Sequence, residues 1–500
     1  MTDSIETTLA GRLAHYRDLR SQVENNVLPL ASSIDGRQFQ FQAPLTALEL
    51  TVGGYVVLET PEGGHFGQIL ALELTHTDAG EVGWSGDTSM SSRVIIRHAL
   101  GEGALLDGSS APFHDAVVRP ATPDEVSAWA QSAAPKRATL RAGEMRRAPG
   151  VIHSLDAGGF DRHTFLCGQS GSGKTYALGV LLEQLLLETS LRIVVLDPNS
   201  DFVRINELRT GVDPALAARH AAATRDVAIH RAGSAGAERL RLRFGELSTA
   251  GRAAALRLDP IRDRDEYGEL ASLLDDTRPD ALEELFRVDR AEASALAQRA
   301  RNLGVDGWGI WARSDPGSTL DALEDPAVRA LVVDLGSLAT REEKALAAEA
   351  VLERLWDLRE RREPVLVVID EAHNVCPAQP DDALTALATE HAVRIAAEGR
   401  KFGLYLLTST QRPQKVHPNV VSQCDNLILM RMNSAADLAY ASEIFSFVPT
   451  GLLARARGFG LGEALVAGKL SSHPVLVRMG PRITVEGGAD VPSTWAALPG

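Results

Sequence analysis

Cysteine is scarce: Cys167, Cys376 and Cys424 are the 3 in 500 residues. They are odd in number and far apart, which excludes a disulfide framework or a CxxC metal clip and fits reduced thiols. Long apolar runs are missing as well. No stretch approaches the roughly 18–20 consecutive apolar residues of a membrane span, so no membrane association is expected. The opening MTDSIETTLAGR has no basic region followed by an apolar run, so no secretory signal is visible. An excess of positive charge is also lacking. A net charge of −15 excludes a basic nucleic-acid coat over the whole chain, while leaving room for a local basic surface or channel. No internal repeat or low-complexity segment stands out. What remains is expected to be a cytoplasmic protein with two or three well-buried domains.

The texture of the chain changes along its length. Ile5, Leu9, Leu13, Tyr16, Leu19 and Val23 recur every three or four positions, which predicts an amphipathic helix within residues 1–27. Over 28–122, short β-rich runs (FQFQ, LELTV, YVVLET, QILALELTH, RVIIRHAL) alternate with Gly-rich turns, the pattern of a small barrel or sandwich. Residues 123–150 read as a polar linker with one short helix. It carries a basic run with Lys136, Arg137, Arg141, Arg146 and Arg147, a candidate for phosphate contact or simply a solvated connector. From 151 to 480 the pattern is α/β. Strands are expected at HTFLCG, RIVVLD, VAIHRA, LVVDL, VLVVID, LYLLTS and NLILMR, with helices between several of them. The Ala-, Arg- and Glu-rich stretch at about 236–312 interrupts that alternation and reads as a helical insertion. Residues 481–500 form a C-terminal tail.

Gly168-Gln169-Ser170-Gly171-Ser172-Gly173-Lys174-Thr175 fits G-x-x-x-x-G-K-[ST], with an apolar strand before it and the helical run YALGVLLEQLLLE after it. The glycines let backbone N–H groups curl around a phosphate, and the helix N-terminus adds its partial positive charge. Lys174 then neutralises the β and γ oxygens of ATP, and Thr175 holds Mg²⁺. Asp370-Glu371 closes a second strand, VLVVIDEAH. An aspartate there supports the Mg²⁺ shell. A glutamate directly after it suits a base that orients the attacking water, which favours a hydrolysing ATPase over a GTPase switch or a kinase.

These motifs, with VVLDPNSDF, VVDLGSL, EGRKFGLYLLTSTQRP and GEALVAGKLSSHPVLVRM in that order, resemble the HerA branch of the HerA/FtsK hexameric DNA-translocase ATPases. The resemblance implies an α/β, RecA-like P-loop ATPase core with an N-terminal small β-barrel and a helical insertion. It further implies roles for matching positions. Asp197 would lie near the metal and water, although Asp197-Pro198-Asn199 is also a good turn sequence. Asp201 stands where the family more often has glutamate. Gln411 would sense the γ-phosphate, and Arg400 and Arg162 resemble arginine fingers that reach the neighbouring subunit's nucleotide. His373 reads as a structural or coupling residue. The leading helix departs from the family and would cap the barrel or dock an effector.

The function implied is a homo-hexameric ring motor that threads double-stranded DNA with a nuclease or other effector, in DNA end processing or anti-phage defence. Phosphate contacts suffice for such translocation and carry no sequence information. The alternative is a ring scaffold in which ATP controls the assembly of a partner enzyme. A membrane-associated pump of the FtsK type is disfavoured by the missing anchor.

Overall fold

A computed structural model describes residues 29–488 except 46–48, 84–90, 136, 235, 273–293 and 314–316, together with Gly11 and Ala14. The helix expected within residues 1–27 therefore lies, apart from those two residues, outside the described residues, as do Lys136, residues 273–293 of the expected helical insertion and residues 489–500.

Six strands close into a barrel: β1 (Leu30–Ser33), β2 (Gln38–Pro44), β3 (Tyr55–Thr60), β4 (Gly63–Gly83), β5 (Ser91–Leu105) and β6 (Phe113–Pro120), in the order β1-β2-β5-β4-β3-β6. In β2 the sequence QFQFQAP alternates exposed and buried, so Phe39, Phe41 and Ala43 point inward. The rings need room on the facing strand, and glycines provide it. Phe39 pairs with Gly103 and Phe41 with Gly101. A Cβ at Gly103 would come within 2.1 Å of the Phe39 ring.

The second body is built on one 11-stranded sheet, ordered β11-β12-β10-β13-β14-β9-β15-β16-β17-β7-β8. Its strands are β7 (Thr139–Met145), β8 (Ile152–Asp156), β9 (His163–Cys167), β10 (Arg192–Asp197), β11 (Val227–Arg231), β12 (Ala330–Asp334), β13 (Val365–Ile369), β14 (Leu404–Thr410), β15 (Cys424–Met430), β16 (Glu463–Ala467) and β17 (Val475–Met479). From β11 to β15 all neighbours are parallel. The remaining strands are antiparallel. The helices used below are α1 (Pro123–Ser132), α2 (Lys174–Glu188), α3 (Pro214–Ala223), α4 (Thr249–Ala255), α5 (Arg264–Ser272), α6 (Ala295–Leu303), α7 (Arg341–Asp357) and α8 (Ala383–Glu398).

The parallel strands inside the edge strand β11 are buried on both faces, which is why they read as continuous apolar runs. Val194, Leu196, Val367, Ile369 and Leu406 share one core with α7, α8 and the helices α4–α6 between β11 and β12. Ile193, Val195, Leu366, Val368 and Leu407 share the other with α2. The period of two along each strand sorts the side chains between these cores.

Two stretches differ from their reading in the sequence. Within 123–150, α1 is closed by a capping box between Thr122 and Glu125, and Thr139–Met145 joins the large sheet between β8 and β17. The basic run is therefore partly embedded: Arg146 pairs with Glu463 at 2.9 Å, and burial pulls the Arg147 guanidinium below its ordinary value. The described start of the tail is packed as well. Ile483 and Thr484 donate their amides to the buried carboxylate of Glu183 on α2, at 3.0 and 2.8 Å. The barrel meets the large sheet through polar bonds, with Tyr55 Oη 2.8 Å from His473 Nε2 and Gln68 Nε2 donating to the Pro474 carbonyl at 3.1 Å. Among the described residues no helix is long and apolar enough to cross a membrane.

Candidate nucleotide site

The order of the central strands decides which residues meet. β10, β13, β14 and β9 are parallel neighbours, so their C-terminal ends gather Asp197, Asp370, Gln411 and the loop at 168–175 along one edge. Ligands of open parallel sheets bind at this edge.

The loop between β9 and α2 takes left-handed backbone at Gly171 (φ 70°) and Gly173 (φ 91°), which L side chains rarely adopt. Gly168 is enforced differently: a Cβ there would sit 2.7 Å from the Met430 Cβ. Gly173 caps α2 with no side-chain hydrogen bond, which leaves the first-turn amides facing the crevice. Neighbouring segments hold the loop in place. Arg431 donates to the Gly171 carbonyl at 2.7 Å, the Asn433 amide to Gln169 Oε1 at 3.0 Å, and the Gly462 amide to the Ser172 carbonyl at 3.0 Å. Ser170 is exposed at the tip, and Ser172 is buried.

Lys174 Nζ lies 3.0 Å from Asp370 Oδ1, 2.9 Å from Glu371 Oε1 and 3.1 Å from Ser409 Oγ. Burial works against its charge, but the Asp370 and Glu371 carboxylates outweigh burial and hold the ammonium above its ordinary value. Glu371 takes a left-handed backbone conformation, φ 42°, that costs a glutamate energy and is kept only because its surroundings impose it. Gln411 donates from Nε2 to Glu371 Oε1 at 3.2 Å, and His373 Nδ1 lies 3.2 Å from Glu371 Oε2 and 3.0 Å from Thr410 Oγ1. Burial alone would raise the Glu371 carboxyl; His373 and Lys174 together draw it down to about 2. Glu371 is therefore an anion, clamped between an ammonium, an amide and an imidazole.

Asp197 has both oxygens engaged by a turn, accepting from the amides of Asn199 (3.2 Å), Asp201 (3.0 Å) and Phe202 (2.8 Å). Burial pushes its carboxyl up to about 7, against those amide bonds. The turn it organises delivers Asp201, whose Oδ2 lies 3.5 Å from Thr175 Oγ1. Burial, then the nearby Asp370 charge, raise Asp201 to about 6. Carboxylate oxygens of Asp197, Asp201 and Asp370 lie within 4.8 Å of one another, and Asp370 Oδ2 is buried with no hydrogen-bond partner. Oxygen donors with an orphaned carboxylate oxygen among them fit a hard divalent cation.

The two arginines lie elsewhere. Arg162 precedes β9 and Arg400 precedes β14, at the opposite ends of those strands from the phosphate loop. The five residues of β9 span about 16 Å. Arg400 Nη1 donates to Asp425 Oδ2 at 2.5 Å, and Arg162 Nε lies 3.5 Å from the same oxygen. Ser409 and Asp425 were not singled out by sequence reasoning. Ser409 carried a signal, being two residues before Gln411 at a strand end; Asp425 carried none, because its partners are distant in the chain.

Residues 140–370 match the family model described as "Helicase HerA, central domain". The DNA double-strand break repair helicase HerA of Pyrococcus furiosus is 34% identical over 117 residues, 23% of this chain and 20% of that protein. The probable DNA double-strand break repair helicase HerA of Methanocaldococcus jannaschii is 32% identical over 128 residues, 26% of this chain and 25% of that protein. The chain thus spans about a quarter of the length of the curated relatives it matches. Among solved structures, VirB4 of Thermoanaerobacter pseudethanolicus is similar over 70% of this chain and 98% of that one, with 16% identity and a TM-score of 0.48.

Proposed function

We propose that this chain, whose ATPase core is of the HerA type, hydrolyses ATP with Mg²⁺ and uses the energy to draw double-stranded DNA through a ring of six copies. A nuclease or another effector protein would act on the DNA delivered. In this reading the phosphate loop from Gly168 to Thr175 cradles the triphosphate, and Lys174 swings from Asp370 and Glu371 onto its β and γ oxygens. Thr175 and Asp370 hold Mg²⁺, with Asp201 beside them and Asp197 shaping the turn. Glu371 orients the attacking water, and Gln411 couples its position to the γ-phosphate.

The observation that carries the ring is the separation of Arg162 and Arg400 from the phosphate loop of their own subunit. At the far ends of β9 and β14 they cannot serve that loop, whereas a neighbouring subunit's crevice can meet them. Guanidinium groups delivered in this way stabilise charge on the γ-phosphoryl oxygens.

Steady-state ATP hydrolysis measured with duplexes of increasing length tests the motor. The rate is expected to rise with duplex and to climb further with its length. A rate indifferent to duplex and raised only by an effector protein would replace the motor with the scaffold reading.

A further inference from the structure

A second cluster of ligand-type side chains lies away from the nucleotide crevice, between α7 and α8. Glu349 and Glu353 are four residues apart and so share one face of α7. His391 meets them from α8. Its Nε2 lies 3.7 Å from Glu349 Oε1 and 3.9 Å from Glu353 Oε1. These separations are too wide for hydrogen bonds. They are close to the edge of a tetrahedron of zinc ligands, about 3.4 Å for bonds of about 2.1 Å.

The surroundings make the cluster unusual. Glu349 is fully buried in the apolar core that contains Leu346, Ala350, Leu352, Ala388 and Ala392. Neither of its carboxylate oxygens has a hydrogen-bond partner, and the Nδ1 of His391 has none. A Cβ at Gly251 of α4 would come within 3.1 Å of Glu349 Oε2, so the chain closes over the carboxylate from the third side without offering a donor. A buried carboxylate without donors is costly unless something compensates it. Glu353 is less buried and opens the cluster toward solvent, where a water can complete four-coordination.

We propose that Glu349, Glu353 and His391 form a structural zinc site that ties α7 to α8. These helices lead into β13 and β14, the strands that end in Asp370-Glu371 and Thr410-Gln411. The site thus braces the scaffold behind the nucleotide crevice and goes beyond the proposed motor activity, on which it does not depend.

The test uses the full chain with Zn²⁺ alone, in an Asp370→Asn background so that the carboxylates of the nucleotide crevice contribute less to binding. About one Zn²⁺ per chain is expected to survive gel filtration and to raise the melting temperature. Glu353→Gln and His391→Gln, each added to that background, should weaken zinc binding at least about tenfold, and the melting shift should vanish with it. Co²⁺ should give visible bands of a tetrahedral site that His391→Gln removes. Should His391→Gln fail to fold, Glu353→Gln, changed at a partly exposed position, decides alone. A parent that retains no stoichiometric zinc, or a folded Glu353→Gln protein that binds zinc as tightly as the parent, overturns the site.

Discussion

The two ends of the parallel strands differ in almost every physical respect. At the C-terminal edge Lys174 is only 7% exposed and meets two carboxylates and a hydroxyl, and Glu371 is held by three neighbours. At the N-terminal edge Arg400 is 43% exposed and pairs with the half-exposed Asp425, and Arg162, 38% exposed, lies between Asp161 at 3.1 Å and the same Asp425 at 3.5 Å. The first edge is organised before any ligand arrives: its loop and carboxylates are already in place, and in the proposed reaction Lys174 is the group that moves, trading its carboxylate partners for phosphate oxygens. The second edge is held by surface ion pairs that are worth little alone and are readily exchanged for a stronger partner. In the ring proposed above, a catalytic centre divided in this way would be completed by assembly, one subunit contributing the cradle and another the exchangeable cation.

The largest expected effect is at the exchangeable edge. Arg400→Ala should lower ATP turnover by about 10³–10⁵-fold while nucleotide binding persists, as read by turnover beside fluorescent-nucleotide titration. An ordinary rate would leave the Arg400–Asp425 pair a surface ion pair and erase the contrast between the edges. At the rigid edge, Glu371→Gln should cost about 10²–10⁴-fold in turnover and should also leave binding intact, trapping nucleotide in the crevice.

A smaller effect separates the edges by pH. The folded chain raises Asp201 to about 6 and Asp197 to about 7, chiefly by burial. Raised values favour the protonated form, so their contribution to stability is full below the ordinary carboxyl value of 3.8 and is lost as pH rises through 6–7. Melting of the nucleotide-free chain should therefore fall between pH 5 and 7.5 through these groups, on the order of a few degrees at most for a chain of this size. Asp201→Asn should flatten that slope, and Asp425→Asn, at the exposed edge, should leave it unchanged. Equal slopes in parent and Asp201→Asn would show that the buried carboxylates do not govern it.

The rigid edge was the more legible of the two in the sequence. RIVVLD is a strand over the residues expected, because strands buried on both faces leave continuous apolar runs. The loop at 168–175 is where its glycines and Lys174 put it, since backbone demands at Gly171 and Gly173 are local. The barrel was readable for a different reason, the alternation of buried and exposed residues in runs such as FQFQ. The antiparallel half of the sheet was less so. TLRAGEM carries charge and glycine, and its strand character comes from β8 and β17, which lie on either side of it in the sheet but not in the chain. Asp201 was readable only as a departure from a pattern. Its placement depends on three amides converging on Asp197, a geometry that residue identities do not announce. The pairing of Arg400 and Arg162 through Asp425 was equally invisible, because it joins three separate segments.

The division of labour between the two edges is tested most directly by mixing two inactive proteins. Lys174→Ala subunits lack a working cradle but retain Arg400, whereas Arg400→Ala subunits retain the cradle and lack the cation. Combined in verified mixed assemblies, intact cradles should receive Arg400 from their neighbours, and part of the parental ATP turnover should return. Mixed assemblies that remain as inactive as either variant alone would contradict an arginine acting between subunits.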